Sequence, residues 1–149
     1  MLKRRALLLL LVCLSGCGGT DVSGYRTLPL DEDVVVGVGE KMGITGDGVT
    51  ELEIKSIRDD SRCPVNAECV WAGTAFAVLE LHKKPRLASA DAPPPETLSI
   101  EYLKDNTTTL TVRPRYKIAF IQLKPEAQLG KIIAQDDYRI TLHLTGVSP

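Results

Sequence analysis

Tyr138-Arg139-Ile140-Thr141-Leu142-His143-Leu144-Thr145 alternates apolar and polar residues over its whole length. A period of two places Tyr138, Ile140, Leu142 and Leu144 on one face and Arg139, Thr141, His143 and Thr145 on the other, the pattern of a strand with one buried and one wet face. Working backwards from it, residues 126–133 read as one helical turn or a loop, and Lys124-Pro125 stops the strand before them. That strand, 116–123, is apolar on both faces. Arg113-Pro114 ends a shorter run in which Leu110 and Val112 alternate with threonines, and a turn near Asp105-Asn106 separates this run from Leu98, Ile100 and Tyr102.

The N-terminal half repeats the pattern. Leu79 and Leu81 point inward against Glu80 and His82, and residues 70–78 are apolar on both faces, as in a covered central strand. Leu52 and Ile54 alternate with Glu51, Glu53 and Lys55, but Ile57 falls off register, so a bulge or a strand end is expected there. Gly46-Asp47-Gly48 is a turn signal, and Val34, Val36 and Val38 alternate with Val35, Gly37 and Gly39. These segments make seven strands with no long helical period. The expected fold is therefore all-β, an antiparallel two-sheet sandwich with an immunoglobulin-like arrangement, and the alternative is a small closed barrel. Residues 83–97 interrupt the strands. Pro93-Pro94-Pro95 must be extended and cannot donate ladder hydrogen bonds, so an exposed hairpin loop is expected there, as a spacer or a contact surface.

The first residues do not belong to the fold. Lys3, Arg4 and Arg5 precede an aliphatic run, Ala6 to Val12, and then Leu14-Ser15-Gly16-Cys17. A charged n-region, an apolar h-region and small residues before a cleavage point form an export signal. The run is too short to cross about 30 Å of hydrocarbon, which takes roughly 20 residues. The tetrapeptide resembles the lipobox of bacterial lipoproteins. That resemblance implies cleavage after Gly16, a diacylglyceryl group on Cys17, and membrane anchoring outside the cytoplasm. Gly18 stands where an Asp commonly signals inner-membrane retention, so the outer membrane is the expected site in a cell with two membranes. The alternative is an ordinary secretory signal. On this reading residues 1–16 are a signal peptide, 17–26 a flexible tether, and 27–149 one β-sandwich domain.

Loss of 16 residues from 149 leaves 133. The whole chain carries 18 basic and 19 acidic residues, and three of the basic ones leave with the leader, so 15 stand against 19 and the net charge is near −4. The only sequence-local basic cluster of the mature chain, Lys83-Lys84-Pro85-Arg86, is small, so neither nucleic acid nor an anionic membrane surface is an expected partner. Cys13 also departs with the leader and Cys17 takes the lipid, which leaves Cys63 and Cys69. In an exported chain this pair favours one disulfide. The alternative is a soft metal site of Cys63, Cys69, His82 and Met42, for which zinc would need two further N or S ligands beside the thiolates.

Ser61-Arg62-Cys63-Pro64, four residues, Cys69, one residue, Trp71, one residue and Gly73 resemble a segment of small bacterial exported lipoproteins, a group of unknown function. The resemblance implies a disulfide-tied β-domain and carries over no catalytic residue. Read physically, the segment joins two strands. Asp60 and Ser61 start a turn, Pro64 stiffens it, and Gly73 permits close backbone approach. Trp71 is expected to plug the core beside the bridge. Arg62 either pairs with Asp59, Asp60 or Glu68 or projects for recognition, and Arg62, Pro64, Asn66 and Glu68 are the candidate recognition residues.

Catalytic patterns are missing. His82 and His143 lie far apart, no Ser occupies a nucleophile elbow, and Gly37-Val38-Gly39 is only part of a dinucleotide fingerprint. Asp59-Asp60 with Asp136-Asp137 would gather a cation only if their loops met. The expectation is a non-enzymatic lipoprotein without cofactor or metal, attached to the membrane through Cys17 and binding an envelope or secreted protein. The alternatives are an inhibitor of secreted proteases acting through residues 61–69 and a metal-handling protein.

Overall fold

The computed structural model describes residues 26–46, 50–84, 91–112 and 115–147. The expected signal peptide, lipidation site and nearly all of the tether lie outside these residues, as do Asp47 and Gly48 of the glycine turn. Nine strands are seen among the described residues: β1 (Arg26–Leu28), β2 (Asp33–Gly37), β3 (Lys41–Ile44), β4 (Thr50–Arg58), β5 (Thr74–Lys83), β6 (Glu96–Leu103), β7 (Thr108–Val112), β8 (Tyr116–Lys124) and β9 (Arg139–Gly146). A single 3₁₀ turn, Gln135–Asp137, precedes β9. Among the described residues no helix is long and apolar enough to cross a membrane.

The strands form a five-stranded sheet of order β1-β3-β4-β5-β6 and a four-stranded sheet of order β2-β9-β8-β7. Apart from the parallel β1–β3 pair, all pairings are antiparallel. The fold is an all-β, mostly antiparallel two-sheet sandwich, and the sheets do not close into a barrel. Its connectivity differs from the immunoglobulin pattern, in which the strands of each sheet come from widely separated parts of the chain. Here β3 to β6 are consecutive in one sheet and β7 to β9 in the other. Strands β1 and β3 were not expected from the sequence, because three and four residues are too few to establish a period.

The inward faces meet in one apolar cluster. Leu52, Ile54, Leu79, Leu81 and Ile100 come from the larger sheet, and Ile118, Phe120, Ile140, Leu142 and Leu144 from the smaller. Each sheet carries a bulge. The β4–β5 register shifts between Ile54 and Ser56, and the β8–β9 register between Phe120 and Gln122. One extra residue lets apolar positions three apart share a face. Ile57 thus returns to the core after Ile54, and Leu123 after Phe120, while Ile121 is turned out. The off-register Ile57 in the sequence is explained by this bulge.

Both bulges lie towards the same end of the sandwich. There β4 ends and β5 begins around the disulfide segment, and β8 ends and β9 begins around residues 125–138. The opposite end carries the connection from β5 to β6, of which Lys84 and Asp91 to Pro95 are described and exposed.

Candidate functional site

The disulfide end is built by a continuation of the β4–β5 hairpin. Ser61 N donates to Thr74 O at 2.8 Å and Cys63 N to Ala72 O at 2.7 Å. Gly73 turns between them with φ +71, and a Cβ there would stand 1.8 Å from Ser61 O, so only glycine fits. Beyond these rungs Cys63 and Cys69 form a disulfide with Cα atoms 6.0 Å apart. Closing a ring of this length removes about 2 kcal/mol of unfolded-chain entropy on the loop model.

Arg62 points inward. Its side chain is 5% exposed, and its Nε and Nη2 donate to the two oxygens of Asp60 at 2.8 Å each. Nη1 donates to Leu123 O at 2.9 Å, Nη2 also reaches Pro125 O at 3.0 Å, and the guanidinium lies 6.0 Å from the centroid of the Tyr102 ring. Tyr102 in turn packs on Phe120, with ring centroids 5.1 Å apart. One guanidinium therefore joins both sheets to the loop after β8. Tyr138 Oη donates to Asp60 Oδ2 at 2.8 Å and completes the network.

The electrostatics follow from this enclosure. Burial opposes the Asp60 charge, but hydrogen bonds from Arg62 and Tyr138 and the neighbouring guanidinium outweigh it and hold the carboxyl below its usual range. Burial, then the Asp60 carboxylate, pushes the Tyr138 hydroxyl up to about 12. Desolvation likewise opposes the Arg62 charge, and Asp60 more than restores it. The expected pairing of Arg62 is thus found with Asp60. An Arg62 enclosed in this way is not offered to a protease cleft, which removes the feature on which the inhibitor reading depended.

Two further bonds tie the disulfide segment to the loop after β8. Val65 N donates to Ala127 O at 2.9 Å, and Asn66 Oδ1 accepts from Leu129 N at 2.7 Å. Gln135 adds a third link, accepting from Ile57 N at 2.8 Å and donating to Ile57 O at 2.9 Å beside the bulge. Nothing in the local sequence signals Gln135, because its partner is 78 residues away. Among the proposed recognition residues, Arg62 is buried, Pro64 is half-buried, Asn66 is exposed but braces the neighbouring loop, and Glu68 is exposed.

Trp71 does not plug the core. It is 64% exposed, and Val70 beside it is fully exposed. The strand expected over 70–78 begins only at Thr74, after the Gly73 turn has carried the preceding residues off the sheet. Of seven large apolar side chains exposed among the described residues, Val65, Val70 and Trp71 lie on the disulfide segment, and Leu129 and Ile132 lie on the loop bonded to it. The connection that carries Leu129 and Ile132 also lines an open groove of about 570 Å³, with Lys124, Pro125, Lys131, Ile133, Asp137 and Arg139. Three cations, at the end of β8, midway along the connection and at the start of β9, line it with one carboxylate, Asp137. Lys124 pairs with Glu126 at 2.6 Å, and Arg139 donates to the carbonyls of Asp136 and Tyr138.

The soft metal set is not assembled. Cys63 and Cys69 are bonded to each other, Met42 is in the core, and His82 sits on the outer face of the larger sheet. The acidic pairs do not gather either. Asp60 belongs to the Arg62 network, while Asp136 and Asp137 are exposed in the 3₁₀ turn. Among the described residues, one group could offer a cation three ligands: Glu53, Glu80 and His82, whose ligand atoms lie within 4.8 Å of one another. Lysines already neutralise it. Lys55 stands 3.1 Å from Glu53 and 3.6 Å from Glu80, and Lys41 is 3.3 Å from Glu53. Burial opposes the Glu53 charge, but both lysines outweigh it and lower its pKa. His143 pairs with Asp33 at 2.7 Å on the other sheet, so the two histidines share no site.

Comparison of the chain with protein-family models, curated proteins and solved structures returns no match.

Proposed function

We propose that the chain is an exported bacterial lipoprotein, anchored through Cys17, whose β-sandwich acts as a non-enzymatic binding module of the cell envelope and works through its disulfide end. The observation that carries this reading is the exposure of Trp71, Val70, Leu129 and Ile132 on two loops tied by a disulfide and cross-loop hydrogen bonds. Exposed apolar side chains in a cluster mark contact surfaces. A loop ordered in advance by a disulfide, a buried ion pair and cross-loop hydrogen bonds has less entropy to lose on binding. The ionisable groups support the same reading: Asp60, Arg62 and Tyr138 are engaged with one another, and Glu53 with lysines.

The anchor is supported by Leu14-Ser15-Gly16-Cys17 and the charged and apolar residues before it. The outer membrane is the proposed location where a cell has two, since Gly18 follows the cysteine. Mass spectrometry of the mature chain tests this directly: a diacylated or triacylated Cys17 at the N-terminus is expected. Cys17→Ser should leave the precursor unprocessed and unlipidated. Recovery of that variant cut after Gly16 and in the same membrane fraction would overturn the anchor. Pull-down of the lipidated chain from its own envelope tests the binding role, and a turnover abolished by one polar substitution would overturn the non-enzymatic assignment.

A further inference from the structure

We infer that the disulfide end docks on the phospholipid surface itself, with Trp71, Val70, Leu129 and Ile132 entering the headgroup boundary and Lys124, Lys131 and Arg139 meeting lipid phosphates. The inference deepens the proposed function and rests on its anchor. Three observations converge on it.

The first is composition. A tryptophan, exposed aliphatic side chains and a cationic groove at one end of the sandwich suit a bilayer interface: the indole occupies the headgroup level, the aliphatic side chains the acyl boundary, and the cations the phosphates. Val70 is fully exposed and Ile132 is 95% exposed, so neither needs rearrangement to enter another phase.

The second is rigidity. A wedge entering lipid must keep its backbone polar groups satisfied. Of the four entering residues Leu129 already donates its backbone N–H within the protein, to Asn66 Oδ1, and the loops that carry them are tied by the Cys63 N–Ala72 O and Val65 N–Ala127 O bonds. Val70 and Trp71 lie next to the Gly73 turn, whose geometry admits no side chain.

The third is strand direction. β3 pairs antiparallel with β4 through Lys41↔Glu53 and Gly43↔Glu51, so it runs away from the end where Arg58 closes β4. β1 is parallel to β3, so the N-terminal side of Arg26 faces the disulfide end. Cys17 lies nine residues before Arg26. A chain of that length spans at most roughly 30 Å. An acyl group on Cys17 therefore confines the domain near the bilayer at high effective concentration. The mature chain's net charge near −4 works against an anionic surface in general, so the contact must be local to the groove.

Trp71 is the chain's only tryptophan, which makes it a native reporter. The lipidated chain is reconstituted in phosphatidylcholine–phosphatidylglycerol vesicles that contain lipid brominated near the glycerol. Trp71 fluorescence should be quenched and shifted to the blue relative to the unlipidated, leaderless chain of residues 18–149 in buffer. Binding of the unlipidated, leaderless chain of residues 18–149 to the same vesicles, read by co-sedimentation, should weaken roughly fivefold with Lys131→Gln, since one cation near an anionic surface changes the affinity by a factor of about five. Lys117→Gln, on the exposed face of β8, should leave binding unchanged. Trp71→Ser with Ile132→Ser should abolish it at an unaltered melting temperature.

Absence of bromolipid quenching, with acylated Cys17 confirmed by mass, overturns the docking and leaves the anchor standing. Quenching by vesicles with no lipid found on Cys17 overturns the anchor and leaves the docking surface standing. A blue shift that follows protein concentration without vesicles, with dimers by sedimentation, assigns the surface to a second copy and overturns the proposal.

Discussion

The connections 59–73 and 84–95 flank β5 and leave opposite ends of the same sheet. They are fifteen and twelve residues long, yet the chain uses them differently. The first folds back on the domain, buries Arg62, closes a disulfide and bonds to a neighbouring loop. The described part of the second, Lys84 and Asp91 to Pro95, is exposed throughout, with Lys84 paired to Glu51. Their exposed residues differ in the same sense. Prolines, an alanine and an aspartate in water need no explanation, because such surface is ordinary. A tryptophan and a fully exposed valine on rigid backbone are retained against the tendency of apolar surface to leave water. Order combined with exposed apolar surface separates a candidate site from a spacer, and among the described residues only the first connection has both.

Four measurements would break or sharpen that contrast. The largest effect is expected from Gly73→Ala. A methyl group placed 1.8 Å from Ser61 O must displace backbone, and φ +71 disfavours a side chain in addition. Left-handed strain and overpacking together should cost about 4 kcal/mol in urea unfolding. A loss below about 1 kcal/mol would mean that the segment relaxes freely, and the claim of a fixed frame would fail.

Arg62→Ala follows. It leaves Asp60 desolvated without its counter-charge and strips Leu123 O and Pro125 O of a donor. Breaking a buried pair from one side should cost about 3 kcal/mol. A double-mutant cycle with Asp60→Ala should return a large coupling, because the two side chains share two hydrogen bonds. Near-additive losses would show that Arg62 acts through packing on Tyr102 instead.

Most of the fold was legible in the sequence, and the site was not. Strand β9 is an uninterrupted alternation, and the off-register Ile57 marked a bulge that is present. Each of those signals lies within one strand. Trp71 was misplaced because hydrophobicity alone does not say whether an apolar residue precedes or follows a turn. Only the close approach of Gly73 to Ser61, twelve positions away, puts Val70 and Trp71 outside. The cationic groove was hidden for a related reason. Lys124 ends one strand, Arg139 begins the next, and Lys131 stands midway in the loop between them. No local run of charge announces three residues that meet only when β8 and β9 pair.

Tyr138 supplies a pH test of the ordered end. Its folded-state pKa is raised from 10.0 to about 12, so folding favours the neutral hydroxyl. A group whose pKa is raised in the fold contributes fully below its unfolded value and loses that contribution as pH rises through the folded one. Stability on the order of 2 kcal/mol should therefore decline between about pH 10 and pH 12, and Tyr138→Phe should flatten that limb. Asp60 has the opposite sign: its lowered pKa contributes stability above its unfolded value of 3.8, and that contribution is lost as pH falls through the lower, folded value. An alkaline limb unchanged in Tyr138→Phe would assign the decline to other groups and remove the hydroxyl from the network.

The smallest effect is expected at the other end. Replacing Pro93, Pro94 and Pro95 together by serine removes no contact that the fold needs, since all three are exposed. Proline restricts the unfolded chain, so three replacements increase the entropy lost on folding. That cost applies in full only if the residues are held in one conformation by the native domain. If 91–95 is a spacer, the native ensemble gains freedom along with the unfolded one, and the two effects largely cancel. Stability should then change by less than about 0.5 kcal/mol, as for a surface site away from any special feature. Fluorescence quenching of Trp71 by vesicles should be untouched, because the two connections lie at opposite ends of β5. A loss above about 1 kcal/mol would show that the prolines hold an ordered structure. A loss of vesicle binding at unchanged stability would place a contact surface at this end as well, and the division of the sandwich into a working end and a spacer end would fall.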